Sequence, residues 1–119
     1  MGQNASGIPY LVFKGIKGAV VNISPSELLG KDGLITTAPV GTPVYFNYTL
    51  SGQGVESWQP QFMYYGFRYI QIEGAVPQGQ DNHYNLPVIS DVQELHTRSA
   101  SAHIGEVSCS NRLYNKTFR

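Results

Sequence analysis

The sequence predicts an all-β fold, an antiparallel β-sandwich, and three observations carry that prediction. First, 13 Gly and 7 Pro among 119 residues punctuate the chain too often for helices. Second, 8 Tyr and 5 Phe favour a pleated, half-buried surface. Third, apolar residues recur with a period of two in several short segments separated by turn residues. One domain is the expectation at this length. A hydrophobic fraction of 41% supplies a core and argues against disorder, although only 13% of residues are charged.

Taken in order, Ile8-Pro9-Tyr10-Leu11-Val12-Phe13 reads as a strand and Lys14-Gly15-Ile16-Lys17-Gly18 as a turn. Ala19, Val21 and Ile23 alternate with Val20, Asn22 and Ser24, predicting a second strand that ends at Ser24-Pro25. Residues 25–42 carry Pro25, Gly30, Asp32, Gly33, Pro39 and Gly41, so they read as loop around one short strand, Leu34-Ile35-Thr36-Thr37. In residues 43–50, Val44, Phe46, Tyr48 and Leu50 share a face opposite Tyr45, Asn47 and Thr49. Ser51-Gly52-Gln53-Gly54 then turns the chain, and Val55-Glu56-Ser57-Trp58-Gln59 is expected to pair back as a hairpin arm.

Two further strands, residues 62–65 and 67–72, flank Gly66, where a bulge or a close backbone approach is expected. Residues 74–85 are polar and read as the longest exposed and most mobile loop. Residues 86–99 look extended, with one change of apolar parity of the kind a bulge or a change of sheet produces. A last strand is expected over residues 102–109. Ser110 then fits an N-cap for a helix whose stripe holds Leu113 and Phe118. That helix breaks off in mid-pattern at Arg119, and the strand-like run begins almost at Met1, so the chain reads as a piece of something longer. About seven to nine strands joined by turns suit a two-sheet sandwich.

The chemistry is sparse. Eight Lys and Arg balance eight Asp and Glu, which provides no electrostatic footprint for nucleic acid. No apolar run is long enough to span a membrane. The one cysteine, Cys109, permits no internal disulfide and reads as a small buried hydrophobe. His83, His96 and His103 lack metal-ligand spacing; Glu94 and His96 share a strand face at i and i+2 but read as two solvated residues. No phosphate loop is present, and nothing calls for a cofactor. The eight acids, Glu27, Asp32, Glu56, Glu73, Asp81, Asp91, Glu94 and Glu106, show no spacing that marks an acid–base pair. Trp58, Tyr64 and Tyr65 are the candidates for carbohydrate contact, because sugar rings stack on aromatic planes, with core packing or a domain contact as the blander use. Arg68, set among Tyr65, Phe67 and Tyr69, is expected to stack on a ring or to pair with Glu73 or Glu56.

Three blocks in order, residues 45–52 (Tyr-Phe-Asn-Tyr-Thr-Leu-Ser-Gly), 56–62 (Glu-Ser-Trp-Gln-Pro-Gln-Phe) and 65–74 (Tyr-Gly-Phe-Arg-Tyr-Ile-Gln-Ile-Glu-Gly), resemble the bacterial α-L-rhamnosidases of glycoside hydrolase family 78. Gly2-Gln3-Asn4 with Gly7, Ser26-Glu27-Leu28, Asp32-Gly33, Thr97-Arg98-Ser99, Gly105-Glu106-Val107 and residues 109–115 extend the resemblance over nearly the whole chain. The resemblance implies a jelly-roll or concanavalin-like sandwich over residues 1–109. It further implies that residues 110–119 are a truncated first helix leading to an absent catalytic (α/α)6 barrel. The implied function is that of a non-catalytic domain of a bacterial glycosidase that removes terminal α-L-rhamnose, supporting or bordering the barrel. The alternative is a stand-alone carbohydrate-binding module using surface aromatics. No catalytic residue carries over, since the family's acid and base lie downstream. Pro60, Phe62, Gly66, Phe67, Arg68 and Tyr69 match the family motif and read as hairpin, bulge and core. The implied partners are the neighbouring domains of the parent chain and a rhamnose-containing glycan. The resemblance leaves the parent's localisation unknown, with a weak lean to periplasmic or secreted, because the parent's N-terminus is expected to lie before Met1.

Overall fold

The computed structural model describes residues 2–36, 41–102 and 104–117. Two sheets pack face to face. The first is built around β1 (Ala5–Lys14), which lies antiparallel to β10 (Val88–His96) on one edge. Its other edge takes β6 (Val55–Trp58) beside Leu11 to Lys14 and β7 (Tyr65–Phe67) beside Ala5 to Gly7. A two-residue strand, β9 (Val76–Pro77), adds to β10 in parallel. The second sheet has β2 (Val20–Ser26) between β5 (Phe46–Thr49) and β8 (Tyr69–Glu73), all antiparallel. A small ladder joins β3 (Leu28–Leu29) to β4 (Ile35–Thr36).

The period-two pattern does what a half-buried strand requires. Along β1, Gly7, Pro9, Leu11 and Phe13 turn inward while their neighbours are at least partly exposed. They meet Val21 and Ile23 of β2, with Leu50 and Ile89 completing a core in which all but Ile89 are almost wholly shielded from water. Phe46, Tyr48, Trp58, Ile70, Ile72 and Val92 pack around it.

Two prolines inside strands are placed where a missing N–H does no harm. Pro9 falls opposite the gap between β6 and β7, on the edge where β1 has no partner. Pro25 lies past Ile23, where pairing with β5 stops, so β2 runs on to Ser26 instead of ending at Pro25 as the sequence suggested. Ser26 is buried, its Oγ donating to Thr36 O (2.8 Å) and accepting from Leu28 N (3.4 Å). That hydroxyl holds the β3–β4 ladder, in which Leu28 and Leu29 form a strand where loop was expected. Thr37 lies outside the described residues.

Several other expectations are corrected. The turn at residues 51–54 does not make a hairpin: β5 belongs to the second sheet and β6 to the first, so the chain crosses between sheets there. Gly66 sits in an unbroken ladder opposite Ser6, so no bulge exists at that point. Among the described residues no other backbone crowds it either: what a Cβ at Gly66 would meet, at 3.1 Å, is the side-chain oxygen Oε1 of Glu27. The chain instead changes sheets at Arg68, whose N–H donates to Ser26 O (3.0 Å). Residues 62–64 are not strand. The polar segment 74–85 contains β9, and Asn82 ties it by exchanging two 2.8 Å bonds with the backbone of Leu86. The parity change in residues 86–99 is a bulge: Val12 pairs with Asp91 and Phe13 with Ile89, leaving Ser90 as the extra residue.

Among the described residues after His96 no strand forms. The described residues within 102–109 are exposed and unpaired in any ladder, so the last strand expected there does not form among them. The helix α1 (Arg112–Thr117) follows, capped by Asn111 and not Ser110, because Asn111 Oδ1 accepts from Leu113 N at 2.9 Å. Phe118, the proposed partner of Leu113 in a stripe, lies outside the described residues. Cys109 is exposed, not buried; Asn115 brackets its backbone, accepting from its N–H (2.9 Å) and donating to its carbonyl (2.8 Å).

Candidate functional site

The three candidate sugar-stacking rings do not share a platform. Trp58 ends β6 and Tyr65 begins β7, and both turn towards Phe46 of the opposite sheet, at centroid distances of 5.6 Å and 5.8 Å. Trp58 also lies 5.9 Å from Tyr48, which itself stacks on Phe13 at 5.4 Å. These rings form an aromatic seam between the sheets, and their geometries are the offset and tilted ones that aromatic quadrupoles favour. Tyr64, adjacent to Tyr65 in the chain, is 65% exposed. It lines an open cleft of about 570 Å³ with Ser6, His96, Thr97, Arg98 and Ser99. Strand parity could not have separated them, because residues 62–64 are not strand; Tyr65 parts from Tyr64 by packing on Phe46 of the other sheet.

The family-motif residues divide in the same way. Pro60 and Phe67 are buried, Tyr69 is partly so, and Gly66 admits Glu27. Arg68 is exposed and its guanidinium lies 5.5 Å from the Tyr69 ring centre, a cation–π contact, while Glu56 and Glu73 are engaged elsewhere. Phe62 departs from the core role expected of it: it is wholly exposed, with a backbone φ of 62°.

One carboxylate stands out, and sequence spacing did not mark it. Glu56 Oε2 accepts from Tyr48 Oη (2.8 Å) and Ser51 N (2.9 Å), and Oε1 accepts from Gly52 N (2.8 Å). The Ser51 amide foremost, with the Tyr48 hydroxyl and Gly52 amide, holds its carboxyl at about 2, against an ordinary 4.5. The same bond, with some burial, pushes the Tyr48 hydroxyl above its usual 10.0. A carboxylate so held stays ionised at neutral pH and cannot act as the general acid that glycoside cleavage needs. Two of its donors, the Ser51 and Gly52 amides, lie on the crossing between sheets and the third, Tyr48, on β5, so the carboxylate ties the crossing to the sheet that the chain leaves.

Glu94 and His96 diverge as well. His96 borders the Tyr64 cleft, whereas Glu94 lies against Gly7, with its Oε1 buried and without a hydrogen-bond partner. Among the described residues no three His, Cys, Asp or Glu side chains are grouped to hold a metal ion, and no helix is long and apolar enough to cross a membrane.

Comparison with known proteins accords with this geometry. The family model of the bacterial alpha-L-rhamnosidase concanavalin-like domain matches residues 1–94. An alpha-L-rhamnosidase of Streptomyces avermitilis is 39% identical over 75 residues, covering 62% of this chain and 7% of that protein. One from Formosa agariphila is 31% identical over 122 aligned positions, covering 97% of this chain and 12% of that protein. A second from Formosa agariphila is 30% identical over 73 residues, covering 60% of this chain and 8% of that protein. No solved structure gives a significant match. The chain thus spans only 7–12% of the length of these curated relatives. With a family model matching most of its length and a sandwich fold to go with it, the chain belongs to the bacterial α-L-rhamnosidase concanavalin-like domain family.

Proposed function

We propose that this chain serves as a non-catalytic β-sandwich domain of an α-L-rhamnosidase, supporting or bordering a catalytic (α/α)6 barrel. In this reading residues 1–109 are the accessory domain and residues 110–119 begin the helical part of the enzyme. The observation that carries it is the match of 97% of the chain to 12% of a Formosa agariphila alpha-L-rhamnosidase. Glu56 fits this reading as a clasp, its carboxylate accepting from Tyr48 and from the Ser51 and Gly52 amides where the chain passes between sheets. The 119-residue chain should therefore leave an aryl α-L-rhamnoside intact, while its full gene product cleaves it. Turnover by the chain alone, lost on mutating an acid within it, would overturn the proposal.

A second reading, a carbohydrate-contacting face, has one observation in its favour. Tyr64 presents a largely free ring at a cleft with His96, Arg98, Ser6 and Ser99 around it, which is the mixture of an aromatic plane and polar groups that a sugar recognises. Trp58 and Tyr65, spent on the seam, would then act only by holding β6 and β7 in place. Titration with rhamnose and rhamnosylated glycans tests it: a saturable change at millimolar sugar, lost in Tyr64→Ala, supports the reading, and no change sinks it.

A further inference from the structure

Residues 59–64 link β6 to β7, which lie end to end along one edge of β1. The link is anchored at both ends, by buried Pro60 and by Tyr65 against Phe46. Between these anchors Phe62 adopts φ 62°, a left-handed conformation that bulky side chains avoid. The effect is to hold its ring out completely, at 102% exposure, with Met63 at 44% and Tyr64 at 65% beside it. Backbone strain and a solvated apolar knob both count against the domain taken alone, and a cluster of this kind marks an interaction surface.

We propose that Phe62, Met63 and Tyr64 form the knob by which this sandwich docks onto an adjoining domain of its own polypeptide. In the docked form Phe62 fills an apolar pocket there, and Tyr64, His96 and Arg98 form the polar rim. The inference rests on reading the chain as one domain of a larger hydrolase. In the matched rhamnosidases this stretch is 7–12% of the protein, so in them it is accompanied by much further chain. Tethering makes docking intramolecular, so a small anchored contact suffices without a large interface. An apolar anchor with a Tyr and Arg rim is also the usual composition of an interface centre. A sugar in the cleft would use Tyr64 but would leave Phe62 and Met63 in water, since neither lines it.

Hydroxyl-radical footprinting of the full gene product tests this, with Tyr84, 86% exposed, as internal reference for a free ring. Tyr64, and Phe62 after correction for intrinsic reactivity, should be labelled about tenfold more slowly than Tyr84, because an interface centre excludes water. Phe62→Asp should restore Tyr64 to the rate its exposure predicts. Labelling of Phe62 and Tyr64 at free rates in the unmodified protein overturns the proposal. So does protection that depends on protein concentration, which would indicate a second copy, or protection that arises only on adding a rhamnosylated glycan. Rhamnosidase activity measured on the same sample separates the two claims. Activity with an exposed Phe62 leaves the domain reading standing without the docking, and a protected Phe62 without activity leaves a docked domain in a protein that is not a rhamnosidase. A gene product ending at Arg119 removes both.

Discussion

Tyr48 Oη donates to Glu56 Oε2 across 2.8 Å, and that single bond joins β5 of one sheet to β6 of the other. With Ser51 and Gly52 amides on the same carboxylate, it fastens the point at which the chain leaves one layer of the sandwich for the next.

The clasp sets an acid dependence. Because the folded Glu56 carboxyl sits at about 2 and its unfolded counterpart near 4.5, the clasp contributes fully above the unfolded value and is lost as pH falls towards 2. Melting temperature should therefore fall between about pH 5 and pH 2, and Glu56→Gln should melt lower at pH 7 with a shallower acid limb. Tyr48→Phe should lower Tm at pH 7 by about 4–8 °C, and combining it with Glu56→Gln should cost less than the two changes summed. Thermal melts across pH decide this; an acid limb unchanged by Glu56→Gln would remove the clasp from the account.

Gly52 is irreplaceable at the crossing. Its φ is +76°, and a Cβ there would stand 2.5 Å from the Lys17 backbone nitrogen. Gly52→Ala is expected to lose about 2 kcal/mol or more by denaturant unfolding, through strain and displacement of the residue 15–18 turn. Gly54→Ala has nothing within 4 Å of the added Cβ and suffers the backbone conformation alone, so it should be the milder of the two.

The aromatic seam and the exposed knob should respond oppositely to truncation. Phe46→Ala removes the ring that both Trp58 and Tyr65 lean on and should cost about 3 kcal/mol, with altered Trp58 fluorescence. Tyr64→Ala, on an exposed side chain, should change the stability of the chain by less than about 0.5 kcal/mol. Equal losses would mean that Tyr64 is part of the core.

Glu94 offers a gain. Its buried Oε1 lacks a partner, so Glu94→Met, close in length and without the orphaned oxygen, should be neutral or stabilise by up to about 1 kcal/mol in urea unfolding. A loss above that size would show that the carboxylate has a partner in solution.

The inward faces were legible because alternation is local: Val21 with Ile23, and Phe46, Tyr48 and Leu50, are buried or half-buried where their parity placed them. The parity change before Val92 likewise corresponded to a bulge at Ser90. The family motif, too, is linear information and survives without coordinates. Parity, however, says which side of a strand is dry and nothing about which strand lies along its edge. A four-residue turn between two strands looks like a hairpin, yet β6 found β1, over forty residues away in the chain, because Glu56 gathers the turn's amides and aims β6 into the other sheet. Trp58, Tyr64 and Tyr65 were one aromatic group in the sequence; only the meeting of two sheets around Phe46 separated seam from surface. The exposure of Phe62 was equally out of reach, since it depends on a backbone turned to positive φ between anchors set by β1, a contact distant in sequence.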